Sequence, residues 1–223
     1  MPPPPFFISP DFGIELAYTI LILLFCFLVY FKTREIYELT KHKGIQYFRY
    51  AFLFFGLAYA SRLFLYIMIA GNIFTFEPFA HPRPILPVSN LVMAYFSTIA
   101  ILYLTYSTIW KKISIEHFLT LSNIIAIFVA VVAFVSMSPI IVSLTQLLLL
   151  AVTIIISIKA YKKDKKRTHM RALYFLIAIF WLISLFVIDE PRKFLPLEVK
   201  VTLQIISIIV FLAIYYRVTK WVK

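Results

Sequence analysis

A single arginine stands in a long uncharged part of this sequence. Arg62 lies in GLAYASRLFLYIM, and none of the twelve residues on either side of it is charged. Inside a membrane, an arginine costs about 2.5–3.5 kcal/mol on insertion scales, so it must face the protein interior or water and find a partner. Glu15 is the acidic residue that can reach it. The sequence therefore predicts an ion pair between Glu15 and Arg62.

Polar side chains in the other apolar stretches fall at a similar depth. We measured depth at about 1.5 Å per residue from the basic residue or tryptophan that ends each stretch. Arg62 and four other side chains then lie about 20 Å from that end of their stretches, and Glu15 lies about one helical turn farther from it. The predicted layer consists of Arg62, Glu15, Gln146, Gln204, Ser184, Ser97 and Tyr18.

Three hypotheses account for this layer. It forms the floor of a polar pocket that opens to the outside, where the forked guanidinium of Arg62 binds a small anion such as a carboxylate or phosphate. Alternatively, the Glu15–Arg62 pair only holds two helices together while the amides form hydrogen bonds across the bundle. In the third case, the Arg62 side chain extends to the outer membrane surface.

The composition requires that lipid surrounds these stretches. Apolar residues make up 62% of the 223, charged residues only 14%, and the mean hydropathy is +0.93. A soluble fold of this size cannot bury so much apolar surface. We therefore predict one all-α domain over 1–223, a bundle of seven membrane-spanning helices whose first span is retained and is not a signal peptide. The predicted spans are 12–31, 47–70, 85–110, 117–137, 139–158, 170–188 and 199–216.

The positive charge is confined to one side of the predicted membrane. The connections and tail on that side contain 17 Lys and Arg against four acidic residues, and the other side has four against five. Because basic segments stay in the cytoplasm, this pattern predicts an external N-terminus and a cytoplasmic C-terminus in a multi-pass protein of the cell membrane. The net charge of +12 is thus a topology signal that also favours anionic lipid head groups on the cytoplasmic side. It does not indicate nucleic-acid binding.

The sequence lacks the patterns of the common enzymes. The four histidines lie at or outside the span ends, no glycine-rich phosphate loop occurs, and no pair of aspartates lies within the spans. The serines within the spans have no nearby base to activate them. We therefore expect no enzyme activity, no cofactor and no metal site. Few Asn and Gln, with abundant Ile, Lys and Arg, favour a thermophilic source.

Two resemblances bear on function. Span 1, the basic loop after it and KGIQYFRYAFLFFGLAYASRL resemble the opening of seven-helix sensor regions that precede some prokaryotic histidine kinases. That resemblance implies a receptor-like protein with a membrane or cytoplasmic signalling partner. A shift of 122 residues aligns span 2 with span 6, pairing Arg49 with Arg171 and Tyr59 with Trp181. The resulting 3+1+3 parallel repeat is similar to SWEET-type sugar transporters, without their hinge prolines or proline–glutamine motif.

The absence of helix breakers favours the sensor. Alternating access commonly uses helices broken or bent at proline or glycine. The interiors of spans 1, 2, 3, 5, 6 and 7 contain no proline beyond the first turn, and Gly56 is the one glycine near the middle of a span. We therefore expect a sensor or a ligand-holding partner subunit. A small-solute transporter and a purely structural membrane subunit remain the alternatives.

The charge pattern gives a direct prediction of topology. A reporter enzyme fused at Pro191 should be active only outside the cell, and reporters fused at Lys165 or after Lys223 should be active only in the cytoplasm. The reason is the concentration of basic residues on one side of the membrane. Cytoplasmic activity at Pro191 would contradict the predicted number or direction of the spans.

Overall fold

Seven α-helices make up the chain. The computed structural model describes residues 10–74, 85–111, 114–136, 139–161, 168–188 and 196–220, and no β-strand occurs among them. The helices are α1 (Pro10–Thr40), α2 (Lys43–Phe74), α3 (Ile85–Ile109), α4 (Ile115–Ser136), α5 (Pro139–Tyr161), α6 (Thr168–Ile188) and α7 (Leu197–Lys220). Each predicted span falls on one helix, and apart from the end of α1 the bounds agree to within four residues. However, α1 continues nine residues beyond its predicted span, through the basic segment that follows it.

Local sequence accounts for where several helices begin and end. Pro10 and Pro139 begin α1 and α5, where a proline costs no helical hydrogen bond. After α1 ends, Lys41 adopts a left-handed conformation (φ 50°) and its amide donates to the Tyr37 carbonyl at 2.7 Å. This is the usual left-handed closure of a helix end, here on a residue other than glycine.

The outer surface of the bundle is apolar. Large hydrophobic side chains such as Phe128 (69% exposed), Val135 (74%) and Leu148 (63%) point away from the protein. Six helices are long and apolar enough to cross a membrane, and α6 has a shorter described apolar stretch over Ala172–Leu185. Because a water-soluble protein does not expose so much contiguous apolar surface, this is a helical, multi-pass membrane protein.

Six of the helices form a ring. In order around it, α1 contacts α2, α2 contacts α3, α3 contacts α5, α5 contacts α6, α6 contacts α7, and α7 returns to α1. The remaining helix, α4, packs against α3 and α5 from outside through a stripe of mostly small residues. This order is the one that a twofold relation between α1–α3 and α5–α7 would produce. The 3+1+3 repeat itself stays a prediction.

Neighbouring helices in the sequence run in opposite directions. Along α1 and α2, contacts join Glu15 with Tyr66 near one end and Tyr30 with Arg49 near the other. By contrast, α1 and α7 run parallel, because Glu15 meets Lys200 and Tyr18 meets Ser207. Hence α1, α3, α5 and α7 finish at the end of the bundle where α2, α4 and α6 begin, which we call the α1–α2 end.

Aromatic side chains fill the centre of the ring. Phe55 on α2 contacts Phe180 and Trp181 on α6, with ring centroids 5.5 and 4.2 Å apart. Phe211 on α7 contacts Phe180 edge-to-face at 4.6 Å and Phe52 at 5.9 Å. These rings connect α2, α6 and α7 across the bundle, so the centre is a packed core and not a channel.

The closest approach of α1 and α2 depends on Gly56. A β-carbon at this position would lie 3.2 Å from the Cys26 β-carbon and 3.8 Å from a Leu23 methyl group. Both contacts belong to α1, so a larger residue at 56 would push the two helices apart. Gly56 is therefore a packing residue between α1 and α2.

This contact predicts a difference between two helical glycines. Gly56→Val should lower the free energy of unfolding by about 1–3 kcal/mol, as overpacking of a closed interface does. Gly13→Val is the matched control, because a β-carbon at Gly13 would meet nothing within 4 Å. Thermal unfolding of both variants in detergent micelles measures the difference. Equal melting temperatures would contradict the close approach at Gly56.

Candidate functional site

A cluster of charged side chains joins three helices around Glu15. One carboxylate oxygen, Oε2, accepts a hydrogen bond of 2.5 Å from the Tyr66 hydroxyl on α2 and lies 3.6 Å from Arg62 Nη2. Tyr66 in turn accepts a hydrogen bond of 2.9 Å from Arg62 Nε. The other oxygen, Oε1, pairs with the ammonium of Lys200 on α7. The predicted ion pair between Glu15 and Arg62 is confirmed, although Tyr66 provides the shorter link.

Arg62 is buried by this arrangement. Only 9% of its surface is exposed, and its guanidinium contacts side chains of α1 and α2. The hypothesis that its side chain extends to the membrane surface is therefore wrong. A hydrogen-bonded, ion-paired position inside the bundle satisfies the guanidinium better than an apolar path to the surface.

Sequence analysis missed two members of the cluster. Lys200 lies at the start of the predicted seventh span, on α7, but it is not among the residues of the predicted layer. The spacing of four residues to Gln204 places both side chains on the same face of α7. Tyr66 lies four residues after Arg62, and this spacing likewise brings them together. Helical spacing from residues already singled out would have found both.

Two cations share the single carboxylate of the cluster. Arg62 lies 3.6 Å from one oxygen of Glu15, and the ammonium of Lys200 pairs with the other. Arg62 is buried, and one of its guanidinium nitrogens, Nη1, has no partner among the described residues. A buried cation with an unpaired donor favours a hydrogen-bond acceptor nearby.

A small cavity lies next to Arg62. It has a volume of about 20 Å³ and lies between α2, α3, α5 and α6. Four members of the predicted layer line it, together with aromatic and aliphatic side chains. These four are Arg62, Ser97, Gln146 and Ser184. A cavity of this size has room for about one water molecule, because water needs roughly 10–15 Å³ by the same measure. The site is thus an internal cavity and not a wide pocket.

One donor at this cavity has no partner. Among the described residues, Arg62 Nη1 is buried without a hydrogen bond. The Tyr59 hydroxyl and Ser184 Oγ also lack a hydrogen bond of good geometry, but these two side chains interact with each other. Gln146 Nε2 donates to Ser97 Oγ at 2.5 Å, and Ser97 donates to the Met93 carbonyl at 2.7 Å. Buried polar groups rarely stay unpaired in folded proteins, so Arg62 Nη1 indicates an occupant that accepts a hydrogen bond.

The remaining members of the predicted layer do not line the cavity. Glu15 stands behind Arg62 in the charged cluster. Tyr18 hydrogen-bonds to Ser207 at 2.9 Å and contacts the ring of Tyr59, which does line the cavity. Gln204 is buried on α7, and its amide nitrogen has no partner among the described residues. The structure thus divides the layer into a cavity on one side and a charged cluster on the other.

The donor set suits an anion better than a metal ion. Arginine offers only hydrogen-bond donors, and the hydroxyls of Tyr59 and Ser184 can each donate one more. In the described part of the chain, no group of three His, Cys, Asp or Glu side chains could hold a metal ion. The sequence also predicts that the segments 1–12 and 71–84, which both combine prolines with aromatic residues, meet over the end of the bundle near Glu15 and Arg62. Most of their residues lie outside the described ranges. From the first segment, Phe12 packs edge-on against Tyr66 at 5.5 Å.

The shared carboxylate predicts an unequal response to neutralisation. Glu15→Gln leaves the buried Arg62 without its carboxylate and should cost about 3–5 kcal/mol of unfolding free energy. Arg62→Gln leaves Glu15 paired with Lys200, so it should cost only about 1 kcal/mol. Glu35→Gln, which breaks the exposed pair with Lys32, is the control and should cost about 0–1 kcal/mol. Thermal unfolding in micelles ranks the three variants, and equal losses for Glu15→Gln and Arg62→Gln would contradict the role of Lys200.

Comparison with known proteins identifies one clear relative. No protein-family model matches the chain, and no solved structure is similar to it. An "Uncharacterized protein" of Archaeoglobus fulgidus is 31% identical over 211 residues, which are 92% of this chain and 91% of the archaeal protein. The similarity therefore covers nearly the whole of both chains. This chain belongs to the same family of helical membrane proteins as that archaeal protein.

Proposed function

We propose that this membrane protein is a sensor, or the ligand-holding subunit of a membrane complex, and that the cavity beside Arg62 binds a small anion. The bound anion would be received from outside the cell, and its presence would be passed to a membrane or cytoplasmic partner. The proposal includes an external N-terminus and a cytoplasmic C-terminus, on the basis of the basic charge at the α1–α2 end. The charged cluster lies towards the opposite, external end.

One observation carries this proposal. Arg62 Nη1 is buried beside a cavity and has no partner among the described residues, while the rest of the guanidinium is held by Glu15 and Tyr66. An unpaired donor on a buried cation costs about 1–3 kcal/mol or more. A small anion in the cavity would accept a hydrogen bond from this donor.

The size of the cavity limits the ligand. About 20 Å³ accommodates a halide-sized ion beside Arg62, Tyr59 and Ser184. A carboxylate such as acetate would require a lining side chain to move, and Met93 is the flexible side chain that could do so. The expected order of binding is therefore small anions first, then small carboxylates, with phosphate esters and sugars last.

The straight helices support sensing over transport. Among the described residues, the prolines that lie within helices are confined to the first turn, where they do not bend the axis. The aromatic core between α2, α6 and α7 also closes the centre of the ring. A ligand bound in such a bundle can change stability or helix packing without opening a path through it.

A small-solute transporter is the second candidate, and the ring order favours it. The contacts of α1–α3 repeat in those of α5–α7, as in a parallel-repeat transporter. A carrier would move the anion across a vesicle membrane, whereas a sensor would only bind it. Uptake of labelled chloride into vesicles that contain the protein distinguishes the two. A purely structural subunit would neither bind nor move the anion.

Anion binding predicts a stabilisation that depends on Arg62. Chloride, bromide or nitrate should raise the melting temperature of the wild type at constant ionic strength with gluconate as the replacement anion. At a concentration of about 100 times Kd, the expected stabilisation is about 2.7 kcal/mol. Arg62→Gln should abolish the shift. Arg62→Lys should reduce it strongly, because a single ammonium cannot both hold Tyr66 and reach the cavity.

Two controls separate binding from general salt effects. Lys220→Gln removes an exposed cation at the far end of α7 and should leave the anion shift unchanged. In a Trp110→Phe/Trp221→Phe background, Trp181 at the cavity wall reports occupancy directly. Bromide should quench the fluorescence of Trp181 with a saturable dependence on concentration. After Arg62→Gln, quenching should instead rise linearly with bromide concentration, as collisional quenching does. A wild type that responds to none of these anions would leave helix pinning as the role of the cluster.

A further inference from the structure

We propose that a groove at the α1–α2 end binds the phosphate head group of an anionic phospholipid. The groove has a volume of about 470 Å³ and lies where α2 begins, α3 ends and α4 begins. It is much larger than the cavity beside Arg62 and shares no residue with it. Its principal lining residues are Lys43, Lys111, Trp110, Tyr47 and Tyr106.

Close packing at Gly44 brings the two lysines to the same groove. A β-carbon at Gly44 would lie 3.0 Å from both the Ser107 carbonyl oxygen and the Trp110 indole nitrogen. The first turn of α2 therefore lies directly against the end of α3. Because Lys43 precedes Gly44 and Lys111 follows Trp110, this contact sets a cation on each side of the groove.

The two ammonium groups are available to an anion. Lys43 and Lys111 are exposed, and neither forms an ion pair with a carboxylate within the described part of the chain. The acidic residues Glu35 and Glu38 are occupied by other cations, Lys32 and Arg34. Lys111 lies 5.4 Å from the centre of the Trp110 ring, which holds its side chain beside the groove. A phosphate group complements this pair of cations.

The walls of the groove select a lipid over a soluble phosphate. Tyr47 and Tyr106 pack edge-on at 4.5 Å, and Tyr106 stacks on Phe118 of α4 at 4.1 Å. Tryptophan and tyrosine at the ends of membrane-spanning helices belong to the zone where head groups meet acyl chains. An occupant of this groove thus meets cations at its polar end and aromatic rings below. An anionic phospholipid has both matching parts.

This site does not depend on the proposed sensor function or on the direction of the protein in the membrane. It requires only that the α1–α2 end lies at one membrane surface, as the apolar length of the helices implies. Failure of anion binding at Arg62 would leave it untouched. Loss of lipid binding here would likewise leave the Arg62 site untouched.

The test is lipid binding by the whole protein in detergent micelles, followed by native mass spectrometry. Phosphatidylglycerol should give one tightly retained lipid in the wild type, and phosphatidylcholine with the same chains should not. Lys43→Gln/Lys111→Gln should weaken this binding by about 30-fold, because each lysine contributes about a fivefold factor at an anionic surface. Lys43→Arg/Lys111→Arg should retain it. Melting temperatures establish that each variant is folded.

The matched control removes the same charge elsewhere at the same end. Lys159→Gln/Lys220→Gln neutralises exposed lysines at the ends of α5 and α7, and binding should change by no more than about twofold because salt screens distant charges. Equal losses in both double variants, or no loss in the groove variant, would overturn the proposal. Competition with glycerol 3-phosphate tests whether the groove binds a soluble phosphate instead of a lipid. If it displaces phosphatidylglycerol at equal concentration, the groove binds free phosphate and not the lipid.

Discussion

The charged cluster around Glu15 is the interaction on which the packing of α1 against α2 and α7 depends. A single carboxylate holds a tyrosine and an arginine of α2 and a lysine of α7, so it fixes α1 between its two neighbours in the ring. Removing charges from water is costly, and only a complete set of partners offsets that cost. Arg62 Nη1 has no partner among the described residues of this set, and the proposed anion site rests on that donor.

Other ring contacts use polar pairs in a similar way. Gln146 joins α5 to α3 through Ser97, Thr105 joins Thr153 at 2.6 Å, and Tyr18 joins α1 to α7. Lipid gives no hydrophobic force between helices, so such hydrogen bonds and close packing at small residues replace it. By contrast, Arg62 Nη1 at the cavity and the amide nitrogen of Gln204 have no partner among the described residues.

The two proposed sites differ in chemistry as well as position. The Arg62 cavity is small, internal and built from fixed donors, which suits a compact anion stripped of water. The groove between Lys43 and Lys111 is broad and lies at the end of the helices, which suits a large amphiphilic molecule. If both sites bind their proposed ligands, anion binding and lipid binding would be coupled only through the helices between the two sites. Such coupling would act in both directions.

The sequence by itself determined the number of helices and their alternating direction, because apolar length and charge distribution follow from the bilayer. It also predicted the Glu15–Arg62 pair and the common depth of Ser97, Gln146 and Ser184, since the rise per residue of a helix is fixed. The tertiary structure alone decided which faces of those helices meet. It brought Lys200 and Tyr66 to Glu15 and left Tyr18 and Gln204 out of the cavity wall. Depth along a helix is a local property of the chain, whereas the rotation of each helix about its axis depends on the packing of all its neighbours.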